Sequence, residues 1–332
     1  MHLDIFNDDA FSLSQLTVAI NDLPKTYNRI AEMGLFRERG ITTTTASIER
    51  QGHKLSLVDA RPRGAPGKPY TPERGKLIAL KAIHLPQRTA VLADEVQNLR
   101  AFGSESEVET AQRLMNRKLA KMRRDLDTTI EYQRIGAIKG SILDSDGTTE
   151  LLNLHTAFGT SVTSHSLVLG TAGTKVRNKV IEARRKMEAA LGGLTYSGAR
   201  VLCSASFFDA LVGHAKVEAA FDRYMNGEFL REDQRGGFYF AGVFWEEYRG
   251  QVGATKFIAD GEAWMVPEGV PDLFVTNYAP ADYMETVNTL GQAYYAKQEP
   301  KDFNKGIDVE TQSIPIHICT RPAAPVKLLA AG

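Results

Sequence analysis

Ala263-Trp264-Met265-Val266-Pro267-Glu268-Gly269 opens the last third of this 332-residue chain. Asp272-Leu273-Phe274, Tyr278-Ala279-Pro280-Ala281-Asp282, Val287-Asn288-Thr289-Leu290-Gly291 and Ala293-Tyr294-Tyr295-Ala296-Lys297 follow in that order. Gln312-Ser313-Ile314-Pro315-Ile316-His317-Ile318-Cys319-Thr320-Arg321-Pro322 closes the series. Short runs of β-branched and aromatic residues, punctuated by Pro, Gly and Asn, read as strands between fixed turns. No nucleophile–base pair and no set of metal ligands interrupts them. What is specific is the order of the segments, not any single residue.

Working upstream, residues 160–300 alternate helices and strands, which predicts a compact α+β domain. A helix is expected over 174–191 with Thr174 as its N-cap and Gly192-Gly193 as its stop. Arg200-Val201-Leu202-Cys203 reads as a strand. Ser204 or Ser206 then caps a helix through Phe207, Leu211, Ala215 and Phe221 to Tyr224. Strands are expected at 238–240, 243–245 and 255–258. Asp260-Gly261 reads as a hairpin turn into a strand through Trp264.

The longest regular element lies before this domain. Ser104 with Glu107 forms a capping box. Val108, Ala111, Met115, Leu119, Met122, Leu126, Ile130 and Ala137 then follow a 3.6-residue period on one stripe. A helix of about 33 residues is close to 50 Å long. The stripe either packs on the chain's own sheet or forms a coiled-coil seam. Arg123-Arg124-Asp125 leaves little of the charge order that a coiled coil needs. Gly140 ends the helix, and Ile142 to Leu154 read as a hairpin about Asp146-Gly147, a dipeptide suited to a type I′ turn.

Residues 41–90 read as a second, longer hairpin. Thr42 to Thr45, Ile48, Leu55, Leu57 and Val58 are strand-forming, and strand character returns over 76–85. Between them, Arg61-Pro62-Arg63-Gly64-Ala65-Pro66-Gly67-Lys68-Pro69-Tyr70-Thr71-Pro72 bars both helix and central strand. An arm of about 17 residues reaches roughly 55 Å, and a two-stranded ribbon is marginal alone in water. Cations dominate it: Lys54, Arg61, Arg63, Lys68, Arg74, Lys76, Lys81 and Arg88 stand against Asp59 and Glu73. Either the arm docks on an acidic partner surface or it is an ordinary solvated loop. Residues 1–40 carry two short helical stretches, Leu13-Leu16-Ile20-Leu23 and 27–36, and read as an arm that packs on something else.

Composition excludes several classes. Hydrophobic content of 43% with 24% charged residues is that of a folded globular chain. Lys+Arg and Asp+Glu are each 40, so there is no basic excess of the kind free nucleic-acid binders show. Cys203 and Cys319 are too few and too distant for a disulfide framework and read as buried reduced thiols. The acidic N-terminus has no signal-peptide pattern, and no window has 18 uninterrupted apolar residues. Gly170-Thr171-Ala172-Gly173-Thr174-Lys175 has the wrong spacing for a phosphate loop, with Val176 after the lysine. The seven histidines form no metal-ligand spacing. Asp144-Ser145-Asp146-Gly147 lacks the glutamate of a calcium loop, His155 standing at position twelve. No catalytic residue, metal or cofactor is therefore expected.

The order of parts resembles the major capsid proteins of tailed bacteriophages, in particular the lambda-type coat family, over nearly the whole chain. The conjunction Pro267/Gly269, Tyr278/Pro280, Asn288/Thr289/Gly291, Tyr294/Tyr295 and Ser313/Pro315/Arg321/Pro322 carries it. The resemblance implies the Hong Kong 97-type α+β capsid fold. Residues 1–40 would be its N-terminal arm and 41–90 its E-loop. Residues 91–159 would hold the spine helix and a P-domain hairpin, 160–300 mainly the A-domain, and 301–332 the returning P-domain strand and tail. Arg61, Arg63, Lys68, Tyr70 and Arg74 would then make intersubunit contacts, while Met115, Leu119, Met122, Leu126 and Ile130 pack the spine. It further implies hexamers and pentamers of an icosahedral shell around double-stranded DNA, expanding on maturation. Assembly would take place in the host cytoplasm. The expected partners are a separate scaffolding protein, a portal and a decoration protein. Two other readings compete: an encapsulin-like compartment shell, and a cytosolic hydrolase using His165 or His214.

Overall fold

In the computed structural model the apolar stripe is one helix, Glu107–Lys139, of 33 residues. The structure describes residues 12–23, 28–50, 76–97, 107–225 and 234–331. Ser104, half of the expected capping box, lies outside them. The chain divides into two compact units, and the long helix contributes residues to Glu131 to the first and from Tyr132 to the second.

The first unit comprises Met1–Ala46, Leu80–Glu131 and Val275–His317. Its central feature is an antiparallel sheet in which Gly306–Ser313 lies between Leu85–Leu92 and Tyr295–Pro300. Side chains alternate along the middle strand: Ile307 and Val309 are buried, while Asp308 turns outward to Arg88 and Lys301. Ile307, Val309, Val91 and Ala296 make one apolar cluster with Met115, Leu119, Leu126 and Ile130 of the helix. Burying each such aliphatic side chain contributes about 1.5–3 kcal/mol. Helix Leu13–Asp22, capped by Ser12, adds Leu16 and Ile20 to the same cluster. The N-terminal arm thus finds its support within its own unit. Arg37–Gly40 runs parallel to Phe274–Tyr278, and Pro315–Cys319 flanks that strand on its other side.

The strand expected over 76–85 is two strands, Lys76–Lys81 and Leu85–Leu92. The break arises because the amides of Ala82 and Ile83 bond elsewhere, to the carbonyls of Thr44 and Pro315.

The second unit comprises Ser47–Ala79, Tyr132–Phe274 and Ile318–Gly332. A six-stranded mixed sheet orders it: Thr163–Ser166, Val326–Leu329, Glu262–Glu268, Gly198–Cys203, Val243–Glu247 and Phe238–Phe240. Residues 301–332 therefore divide, with Gly306–Ser313 and Pro315–Cys319 in the sheets of the first unit and Val326–Leu329 in this one. Helix Val176–Leu191 buries Val176, Val180, Ala183, Met187 and Leu191, again at helical spacing. Trp245 stacks on Phe207 with ring centroids 6.4 Å apart and donates from its indole to the Phe240 carbonyl.

Several local expectations are corrected here. Thr174 does not cap its helix: its hydroxyl donates to the Val168 carbonyl, and Lys175 takes the cap position without a side-chain bond. The helix expected from Phe207 to Tyr224 is two, Ala205–Val212 and Ala215–Met225, broken at Gly213-His214. Of 255–258 only Thr255–Lys256 is strand, paired with Gln251–Val252, because Phe257 and Ile258 turn into the core instead. Asp260-Gly261 is no hairpin turn. Strand Glu262–Glu268 pairs with Val326–Leu329 and Gly198–Cys203, and the Gly261 amide bonds to the Ser206 hydroxyl. Asp146-Gly147 does sit between paired strands, Ser141–Leu143 and Glu150–Asn153. A type I′ turn needs positive φ at both central residues, and only Gly147 of the two has it, at +70°. The Asp146 carboxylate instead accepts from the Thr148 and Thr149 amides, building a wider polar loop.

Candidate assembly elements

The hairpin residues singled out by charge, Arg61, Arg63, Lys68, Tyr70 and Arg74, lie outside the described residues. The strands that lead into and out of that stretch, Thr45–Arg50 and Lys76–Lys81, pair with each other as a two-stranded ribbon. Ile78 and Leu80 are buried, while Ala79 between them is exposed and Leu77 before them is 67% exposed, which is the period-two alternation of a ribbon with one covered face.

All five spine residues are buried. Met115, Leu119, Leu126 and Ile130 face the sheet and arm helix of the first unit, and Met122 is enclosed as well. Sequence reasoning missed the polar cluster beside them. Arg123, quoted in the sequence only as an argument against a coiled coil, is enclosed; its Nε donates to Asp127 Oδ1 at 2.9 Å and its Nη1 to the Ile20 carbonyl. The guanidinium lies 3.7 Å above the Tyr294 ring, and the Tyr294 hydroxyl donates to the same Asp127 oxygen. Burial, then the neighbouring Tyr278 and Asp127, push the Tyr294 phenol far above its ordinary value, so it stays a donor. Asn28 donates to the Asp127 carbonyl at 3.1 Å, and the Ile30 amide to Glu131 Oε1 at 2.9 Å. Arm, helix and the strand region near Tyr294 are thereby tied by directional bonds. The one available signal was the i,i+4 spacing of Arg123 and Asp127. Tyr294, 167 positions away from Asp127, could not be paired with it in advance.

The residues of the ordered C-terminal series hold junctions. The Gly291 amide donates to the Ile41 carbonyl, and a Cβ at Gly291 would overlap the Tyr278 carbonyl, so only glycine fits there. Ser313 donates to the Ala293 carbonyl at 2.8 Å, and Tyr295 accepts from the Gln292 amide at 2.9 Å. Arg321 donates to the Leu191 carbonyl at the end of its helix, where a cation is favoured. The two histidines of the hydrolase reading stand apart. His214 bonds through Nε2 to the Thr171 carbonyl and through Nδ1 to the Lys216 amide, so both ring nitrogens serve the backbone. His165 Nε2 lies 3.4 Å from Glu182 Oε2, and burial lowers its proton affinity. Cys203 and Cys319 are free and buried. Among the described residues no helix is long and apolar enough to cross a membrane.

Comparison with known proteins identifies the fold and the family. The putative capsid protein of an Escherichia coli CFT073 prophage superposes with a TM-score of 0.59 at 12% identity, over 96% of this chain and 98% of that one. The mature capsid chain of bacteriophage PhiM1 gives 0.51 at 14% identity, over 93% and 89%. The α+β fold is that of phage capsid proteins. In sequence, the major capsid protein of Salmonella phage Felix O1 is 28% identical over 96% of both chains, and that of Pseudomonas phage KPP10 is 25% identical over 97% of both. The family model described as phage major capsid protein E matches residues 12–330, and by that match, spanning both units, the chain belongs to the phage major capsid protein E family.

Proposed function

We propose that this major capsid protein builds an icosahedral shell from hexamers and pentamers of itself, which encloses packaged double-stranded DNA and expands on maturation. The observation that carries the reading is the family match across residues 12–330, which takes in parts of both units. In this reading the role is structural and not catalytic. Each subunit makes several modest interfaces, and closure of the shell multiplies them. Residues 41–90 form an E-loop that reaches a neighbouring subunit, with Arg61, Arg63, Lys68, Tyr70 and Arg74 as its contacts. The near-neutral charge of the chain suits a lattice of many copies, where like charges would repel. The same reading supplies a scaffolding protein, a portal and a decoration protein as partners, and assembly in the host cytoplasm. The test is sedimentation and electron microscopy of the purified chain, alone and with its scaffolding protein. Closed shells are expected, and a compact monomer under both conditions refutes the proposal.

A further inference from the structure

Residues 281–292 form a surface turn pinned from within by hydrogen bonds, with large apolar side chains standing among the polar ones on its exposed face. Thr286 is buried, and its hydroxyl donates to the Ala281 carbonyl at 2.7 Å while its amide bonds to the Tyr283 carbonyl. The Thr289 hydroxyl donates to the Thr286 carbonyl at 2.7 Å. The far end of the turn is held by the Gly291 amide on Ile41 and the Gln292 amide on the Tyr295 hydroxyl. Asn288 takes positive φ, at +60°, to close the turn. This pinned backbone presents Met284 at 88%, Val287 at 57% and Leu290 at 64% exposure. The bonds of Thr286, Thr289, Gly291 and Gln292 hold the turn in place, and three large apolar side chains are left in water. A rigid apolar patch of this kind is preorganised for contact, because little ordering entropy remains to be lost on binding.

The charge of the turn selects its cover. Residues 281–292 carry two acids, Asp282 and Glu285, and no cation; Glu285 is already paired with Lys297 at 2.6 Å, so Asp282 supplies the turn's net negative charge, whereas residues 54–88 of the same chain carry the basic excess described above. We infer that the Met284–Val287–Leu290 patch is an interface covered by a second copy of this chain. The inference rests on the shell-building reading and adds a place on the subunit where copies meet.

Methionine oxidation by peroxide tests it on the unaltered protein, because the thioether becomes a sulfoxide only where the oxidant reaches it. Met115, Met187 and Met265 are enclosed within the subunit and serve as internal references. Met284 is expected to oxidise readily in the free subunit and at least tenfold more slowly in shells stripped of every other protein. Equal oxidation in subunit and shell overturns the inference, as does protection that vanishes when the scaffolding protein is removed. A Met284→Asp/Leu290→Asp variant is expected to melt as the parent does and to form no shells; parental shell yield from that variant overturns the inference. If the parent chain itself forms no shell, the underlying reading falls, and that outcome is distinct from the others.

Discussion

The first unit encloses Arg123, Asp127 and Glu131 on the same helix that buries Met115, Leu119, Leu126 and Ile130. In the second, the sheet interior is built from Val201, Leu202, Met265 and Trp264, with Trp245 stacked on Phe207. The second unit's buried carboxylate Glu246 meets Arg200 at 2.8 Å, but Arg200 also reaches Glu268 at a partly open rim. The contrast follows from how each unit is gathered. Both are drawn from three stretches distant in sequence, but the first includes the arm helix Leu13–Asp22, which no sheet ladder holds, and apolar contact alone is non-directional. Bonds from Arg123 to the Ile20 carbonyl and from Ile30 to Glu131 fix where the arm lies along the helix. The strands of the second unit's sheet already specify register through their ladders.

The sharpest way to break this contrast is Asp127→Ala. It strands a buried guanidinium, and removing one partner of such a pair costs about 3–5 kcal/mol. Amide exchange should accelerate in the first unit. Both tryptophans, Trp245 and Trp264, belong to the second unit, so fluorescence should register much less change. A fluorescence transition shifted as far as the exchange rates would erase the distinction. The Arg123→Met/Asp127→Leu pair should recover most of the loss while allowing more than one setting of the arm, visible as doubled amide signals.

Leu119→Ala should destabilise the first unit by about 2–5 kcal/mol, as a buried leucine does, before any assembly step. Leu77→Ala, at an exposed site, should stay within about 0.5 kcal/mol. Were Leu119→Ala to leave the free subunit's melting unchanged while blocking oligomers, the stripe would be a seam between copies.

In the second unit, Lys139 is half-enclosed and donates to the Phe257 carbonyl; burial lowers its pKa from 10.5 to about 8. Below pH 8 the amine is charged in both folded and unfolded states, and the cost of enclosing the charge is felt in full. Between pH 8 and 10.5 the unfolded chain holds a proton that the folded one has released, so stability rises with pH. Lys139→Met should therefore stabilise the unit at neutral pH by on the order of 2 kcal/mol, after loss of one hydrogen bond. It should also flatten that rise in a fluorescence-monitored titration. An unchanged slope would show that the amine is solvated.

The smallest effect on stability and the largest on assembly is expected from deleting residues 61–71. Melting of the subunit should move by less than about 1 kcal/mol, since loop length enters stability only logarithmically. Shells should fail to form. Normal shells would remove the basic arm from the list of contacts.

The spine helix was legible in the sequence because its apolar stripe follows one period. What was not legible depends on partners distant in the chain. Nothing in Arg123-Arg124-Asp125 says that the first arginine turns inward beneath Tyr294. Thr255-Phe257-Ile258 has strand composition, yet after Lys256 the ladder to Gln251–Val252 ends and Phe257 and Ile258 are buried outside any strand. Gly213-His214 breaks a helix that side-chain spacing alone would continue, and His214 earns its place by bonding Thr171 and Lys216. The turn at 281–292 was quoted for its Asn288/Thr289/Gly291 order, but the exposure of Met284, Val287 and Leu290 shows only once the fold leaves them uncovered.

Strand Val326–Leu329 lies between Thr163–Ser166 and Glu262–Glu268, parallel to one and antiparallel to the other, and follows both in the chain. During synthesis the ribosome therefore releases every other strand of that sheet before the one that joins these two. Until residue 329 has emerged, each of them presents an unpaired edge, the condition under which partly made chains aggregate. A message truncated before codon 326 would yield a product unable to complete this sheet, and such a chain would be withheld from the pool of subunits by its own misfolding.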